Sequence, residues 1–267
     1  MATAAADGDG RSVSIGRIFS RAFGTIRANP ATTLGIGFLF GAMPSLATAY
    51  AVRNLQADSF AVLGTAATVG IGLFSLLTTI LLGIIAQGVL VRVTVAFSEG
   101  RKANLGESAM AGLRLGVPLF LLGLLSAIGI ALGFLLLIVP GILLYLAWSV
   151  AAPALVEERL GPIKALGRSE YLTKGARWTV FGLMLVLLVS YWILSGLFAV
   201  VIIASSGGVA ELSATAGSGP WLAQLVVEGV VATIYSAVSG VIPPSLYVEL
   251  RDWKDGPQTE KLAEIFG

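Results

Sequence analysis

The chain contains neither cysteine nor histidine. The first absence excludes disulfides and thiolate chemistry; the second removes the commonest general base and the commonest metal ligand. Charge is also scarce. Asp, Glu, Lys and Arg make up 12% of the 267 residues, about half the share of a soluble domain. The net charge of +2 is too small to point to nucleic acid. No nucleophile–base pair, paired carboxylates, metal-ligand cluster or phosphate loop is visible. Serines and threonines are available, but nothing obvious stands ready to activate one. The sequence therefore reads as non-enzymatic, with no catalytic, cofactor or metal residues.

What fills the chain instead is apolar. Hydrophobic residues reach 56% and the mean hydropathy is +0.90. Glycine is abundant, at 33 residues, and in a bilayer small residues let helix backbones approach closely. Gly37/Gly41, Gly112/Gly116 and Gly129/Gly133 carry that small-xxx-small spacing.

The apolar runs divide the chain into six spans, at about 31–52, 69–91, 116–138, 141–156, 178–204 and 222–247. On this division sixteen of the seventeen Lys and Arg residues fall on one side, and Arg53 alone on the other. Basic residues are retained in cytoplasmic loops, so both termini are expected in the cytoplasm of a bacterium, with the chain in its inner membrane. Residues 1–13 lack periodicity and are expected to be disordered. Residues 14–251 form the membrane domain, and 252–267 a cytoplasmic tail.

Within that frame, Ile15, Ile18, Phe19, Ala22, Phe23 and Ile26 trace one helical stripe that Arg17, Arg21 and Arg27 avoid. This is the pattern of an amphipathic helix lying at the interface. Ala47-Thr48-Ala49 has the small residues of a signal-peptidase site, but a long polar and amphipathic stretch precedes it, and cleavage is not expected. The uncharged run from Ser59 to Val91 exceeds one straight crossing, so a tilted helix or an extra outer segment is expected. From Leu115 to Val156 the chain is uncharged for two spans, and Pro140-Gly141 supplies the break of a tight hairpin. Pro243-Pro244 is expected to break the sixth span near its inner end. The architecture is thus all-α and polytopic: six transmembrane helices in three hairpins, with interfacial amphipathic helices on the cytoplasmic side.

A short repeat supports the unit. Gly100, Leu105, Gly106 and Ser108 match Gly161, Leu166, Gly167 and Ser169 in a G-x4-L-G-x-S pattern at equivalent topological positions. Ile15-Gly16-Arg17 is a degenerate third copy. Val139-Pro140-Gly141-Ile142, followed by Glu157, Gly161, Lys164-Ala165, Ser169, Lys174-Gly175 and Trp178, resembles the YciC-like inner-membrane family. That family includes the membrane domain found ahead of some bacterial glycerophosphodiester phosphodiesterases. Val139 departs from its usual Ile. Tyr247 to Arg251 is similar to the family's closing Tyr–Arg segment. The resemblance implies a six-span inner-membrane protein of poorly defined function. It does not imply the phosphodiesterase reaction, which belongs to a separate barrel.

Two sets of residues are candidates for function. Glu228, with Gln224 one turn away and Gln87 near the inner end of span two, are polar residues at or near membrane depth. Glu228 is intramembrane if span six starts at Trp221, and interfacial if it starts at Val230. Arg159, Lys164, Arg168, Lys174 and Arg177 form a basic cluster suited to anionic headgroups, which Glu157, Glu158 and Glu170 partly neutralise. Pro140, Gly141, Gly161, Ser169 and Gly175 read as structural. The leading expectation is a module that binds membrane lipids or partner proteins, a homo-oligomer among them, at the cytoplasmic leaflet. The alternative is a small-solute transporter or channel built around Glu228.

Overall fold

The computed structural model describes residues 12–44, 46–47, 50, 60–100, 115–205 and 221–256. Every regular element among them is helical. In chain order these are α1 (Ile15–Ala28), α2 (Pro30–Ile36) running into a π-helical turn (Gly37–Ala42), α3 (Phe60–Ser98), α4 (Gly116–Leu136), α5 (Ile138–Ala147), α6 (Ala151–Glu158), α7 (Pro162–Thr173), α8 (Arg177–Ser205) and α9 (Trp221–Asp255). Among the described residues, five stretches are long and apolar enough to cross a membrane: Gly72–Ser98, Gly116–Leu136, Ile138–Glu158, Arg177–Val201 and Leu225–Asp255. They mark the chain as a helical membrane protein. The expected first span lies partly outside the described residues, among which it shows a shorter apolar helix, Pro30–Ala42.

The core sits at one end of the bundle, which also gathers most of the described charges. Its centre is the last part of α9, where Val241, Ile242, Leu246, Tyr247 and Leu250 are all fully buried. A helix that is apolar on every side must be enclosed on every side, and α1, α3, α6, α7 and α8 all pack on α9. α3 brings Val91, Val93 and Val95 to the same core, and α6 brings Ala154, Leu155 and Val156. α1 contributes one face, with Ile18, Ala22 and Thr25 buried while Arg27 is exposed. Away from this end the helices separate, and α8 buries no described side chain beyond Leu183.

Glycines set the close approaches. A Cβ on Gly37 would lie 2.7 Å from the Thr233 carbonyl oxygen, and one on Gly41 within 2.2 Å of Ser236 Oγ. The π-turn therefore sits directly on α9. A Cβ on Gly129 would meet the Trp148 ring at 2.5 Å, and one on Gly141 the Phe134 ring at 2.4 Å. Two of the three small-xxx-small pairs are thus packed against another helix; Gly112 lies outside the described residues.

Several breaks differ from the sequence reading. α4 ends at Leu136 and α5 begins at Ile138, so the connection is the single extended residue Leu137 (φ −164°, ψ 155°). Pro140 occupies the first turn of α5 instead, where a helix has no use for its missing N–H. Pro243 and Pro244 do not end α9, which continues through them to Asp255. They deprive the Ser239 and Gly240 carbonyls of their helical donors. Dense packing around Val241 to Leu250 outweighs that loss. α3 runs unbroken for 39 residues, about 58 Å of helix, so it outreaches a bilayer instead of splitting.

The interruption that sequence reading missed lies between α5 and α6, at Trp148 to Val150. Its cause is Pro153, which cannot donate to the Ser149 carbonyl and whose ring crowds it. The break is closed from outside. Ser169 Oγ of α7 donates to the Ala147 carbonyl at 2.7 Å and accepts from the Val150 N–H at 3.2 Å. Thr173 Oγ1 also reaches the Ala147 carbonyl, at 3.4 Å. Ala165, Ser169, Leu172 and Thr173 share the buried face of α7. At the end of α7, Gly175 adopts φ +95° beside the Trp253 ring, a backbone conformation that disfavours a side chain. Gly161 caps the start of the same helix ahead of Pro162.

Candidate functional site at the charged end

Ion pairs among the described residues hold the charged end together. In a first group, Glu158 at the end of α6 accepts from Arg168 Nε at 2.8 Å and from the Tyr247 hydroxyl at 2.9 Å. Arg168 also reaches Asp255, with Nη1 3.4 Å from Oδ1 and Nη2 bonded to Oδ2. One guanidinium therefore ties α6 and α7 to the end of α9. Partial burial works against its charge, but the hydrogen bonds to Asp255 and Glu158, and their negative charges, outweigh that cost and hold its pKa above the ordinary value.

In the second group, Glu249 of α9 is only 6% exposed, yet ionisable. Arg17 Nε of α1 donates to it at 2.7 Å, and Arg21 Nη1 lies 3.8 Å away. Arg21 Nη2 is 3.6 Å from Asp252. Burying a carboxylate is costly unless it is paired, so these contacts tie α1 to the end of α9. In the third group, Arg92 Nε of α3 lies 3.9 Å from Glu157 of α6. Arg92 thus has an acidic neighbour within the protein.

Glu99, Glu157, Glu158, Arg168, Tyr247 and Arg251 line an open cleft of about 330 Å³ between the ends of α3, α6, α7 and α9, with Asp255 at its edge. Arg251 stacks over the Tyr247 ring at 5.5 Å, and Lys254 over the Trp253 ring at 4.5 Å.

The basic cluster read from sequence therefore divides. Arg168 is occupied by Glu158 and Asp255, and Arg177 Nη2 lies 3.9 Å from Glu170. Arg159, Lys164 and Lys174 are exposed, and their side chains make no hydrogen bond or ion pair among the described residues. They occupy the α6–α7 turn, the first turn of α7 and its C-terminal end, around one short helix. Arg159 adopts φ 51° in that turn.

The intramembrane candidates are not brought together. Glu228 is exposed on α9 with no hydrogen bond or ion pair among the described residues. Gln87 is partly buried on α3. Leu90, one turn on from Gln87, packs at Gly240, twelve residues or about 18 Å along α9 from Glu228. The Gln224 side chain lies outside the described residues, as does the repeat copy from Arg101 to Ser108.

Sequence reasoning gave no role to Pro153, Glu249 or Asp255. Pro153 was detectable as an imino acid inside an apolar run. Glu249 had a signal in its isolation, as a carboxylate between Val248 and Leu250, but nothing local named α1 as its partner.

Comparison with known proteins returns no matching family model, no matching curated protein and no matching solved structure. The site must be understood from its own chemistry.

Proposed function

We propose that this protein is a six-span, non-enzymatic inner-membrane module of the YciC-like kind. In this reading the chain forms three hairpins and its charged end faces the cytoplasm. There α1 and α7 lie along the inner leaflet and the free cations around α7 engage anionic lipid headgroups. The observation that carries this reading is the division of the basic residues. Arg17, Arg21 and Arg168 are spent on internal carboxylates, while Arg159, Lys164 and Lys174 remain exposed around one helix. Ile163 and Tyr171 stand exposed on that same helix, which suits an element resting against acyl chains with its cations at the headgroup level. The supply of positive charge to cytoplasmic segments supports the same orientation. Glu228 is exposed and has no hydrogen bond or ion pair among the described residues, which gives no support to a transport path built on it.

The test is lipid retention in nanodiscs of phosphatidylcholine and phosphatidylglycerol, read by native mass spectrometry. Each cation near an anionic surface is worth about 1 kcal/mol. Arg159→Gln/Lys164→Gln/Lys174→Gln should therefore weaken phosphatidylglycerol retention by roughly 100-fold at low salt. Equal retention by the triple variant and the unaltered protein would remove the reading.

A further inference from the structure

Half of the six tyrosines collect far from the charged end, between α5, α8 and α9. The Tyr191 and Tyr235 rings lie 4.9 Å apart at an angle of 56°. Tyr145 of α5 crosses to α8, its hydroxyl donating to Met184 Sδ at 3.9 Å. Met184 stands seven residues before Tyr191 on α8, so the Tyr145 hydroxyl lies about 10 Å along that helix from Tyr191. Trp192 adds a ring edge-on to Tyr191 at 6.2 Å.

The depth of this cluster is unusual. Tyr191 is the midpoint of the 29-residue α8. Tyr235 stands fourteen residues before Glu249 on α9, a rise of about 21 Å. The hydrocarbon core is about 30 Å thick, so in the membrane reading these phenols lie inside it. Tyrosines ordinarily sit in belts at the two interfaces, where the hydroxyl meets water. A hydroxyl held in hydrocarbon without a partner costs a few kcal/mol.

Two of these side chains are exposed and the third, Tyr235, is partly buried. Tyr145 is 48% and Tyr191 41% exposed. The Tyr191 and Tyr235 hydroxyls make no hydrogen bond among the described residues. The neighbouring Ser190 hydroxyl is turned to its own helix, 2.6 Å from the Val186 carbonyl. Because α8 buries nothing described beyond Leu183, the cluster opens sideways to acyl chains.

We propose that Tyr145, Tyr191 and Tyr235 form an intramembrane binding site for a neutral lipid whose ring-shaped head carries carbonyl acceptors, the chemistry of an isoprenoid quinone. A charged head is excluded by its cost at this depth. Carbonyl oxygens supply acceptors for phenol donors, and a flat ring can stack on the Tyr191 and Tyr235 faces. The isoprenoid tail then runs along the lipid-exposed side of α8. This site rests on the membrane reading but not on the headgroup cations.

Full-length protein in phosphatidylcholine–phosphatidylglycerol vesicles, titrated with isotope-labelled decylubiquinone, provides the test. Saturable retention near one molecule per chain is expected. Tyr145→Phe/Tyr191→Phe/Tyr235→Phe keeps the rings and removes the hydroxyls, and should bind at least tenfold more weakly. That variant should keep its phosphatidylglycerol retention, which certifies its fold and separates this site from the headgroup site. Non-saturable uptake by the unaltered protein, or equal binding by the triple variant, would overturn the proposal. Displacement by dioleoylglycerol at lower concentration than by unlabelled decylubiquinone would overturn the ring-headed ligand in favour of an ester lipid. Efficient cross-linking of two chains through Tyr191→Cys would instead place a second copy over the site, and would also overturn it.

Discussion

Ser169 offers the sharpest quantitative test of the fold. Its hydroxyl closes the break between α5 and α6, donating to the Ala147 carbonyl and accepting from the Val150 N–H. The side chain is fully buried, so water cannot replace it. Ser169→Ala leaves one backbone donor without its partner, and weakens the satisfaction of one acceptor. An unsatisfied buried group costs about 1–3 kcal/mol. Thr173 Oγ1, already 3.4 Å from the Ala147 carbonyl, can cover part of the acceptor's loss. The expected destabilisation is therefore about 2–3 kcal/mol for Ser169→Ala, and larger than additive for Ser169→Ala/Thr173→Ala. Equilibrium unfolding in mixed micelles gives the free energies, and hydrogen exchange at Val150 localises the effect. A Ser169→Ala change within about 0.5 kcal/mol of zero, with Val150 exchange unaltered, would refute the stapled break.

Other perturbations follow from the same geometry. Gly37→Ala drives a Cβ into the Thr233 backbone, which cannot yield as a side chain could; it should cost about 1–3 kcal/mol. Gly35→Ala, which meets open space, should cost nothing measurable by thermal unfolding. Glu249→Ala removes the carboxylate that holds Arg17 and Arg21, so α1 amides should exchange at least tenfold faster while α7 amides keep their protection. Arg168→Ala should lower stability more than Lys164→Ala, because only Arg168 bridges Glu158 and Asp255; equal midpoints would contradict the clamp. The Arg168 pKa is raised, so its contribution is fully present at every pH below the ordinary arginine value. Unfolding titrations should accordingly show no loss from this guanidinium between pH 6 and pH 9, roughly the range of ordinary buffers.

The sequence made the solvent legible before the contacts. Long uncharged runs exposed the crossing helices because hydrocarbon permits few other solutions for a backbone. The glycine pairs Gly37/Gly41 and Gly129/Gly133 were legible because close approach needs small residues at fixed spacing. Breaks were read less well. A proline marks a lost hydrogen bond, but whether the helix stops depends on what packs around it. Pro153 breaks the α5–α6 segment, whereas Pro243-Pro244 lies within a continuous helix packed against α1, α3, α6, α7, α8 and the π-turn. The basic cluster was legible as a composition, but its division was not. Arg168 and Lys164 sit four residues apart on one helix, and only the folding of α6 and α9 to place Glu158 and Asp255 beside Arg168 distinguishes them. The tyrosine cluster was invisible for the same reason, since its members are some forty-five residues apart in sequence and meet only across three helices.

The headgroup site depends on which way the charged end faces, and the absence of cysteine makes that directly measurable. Lys164→Cys and Ser218→Cys, the latter in the polar stretch between spans five and six, can each be introduced singly with no background thiol. In intact cells a membrane-impermeant maleimide should label Ser218→Cys and leave Lys164→Cys unlabelled until the inner membrane is permeabilised. Labelling of Lys164→Cys in intact cells, with Ser218→Cys protected, would invert the orientation and contradict the assignment of the α7 cations to the cytoplasmic leaflet.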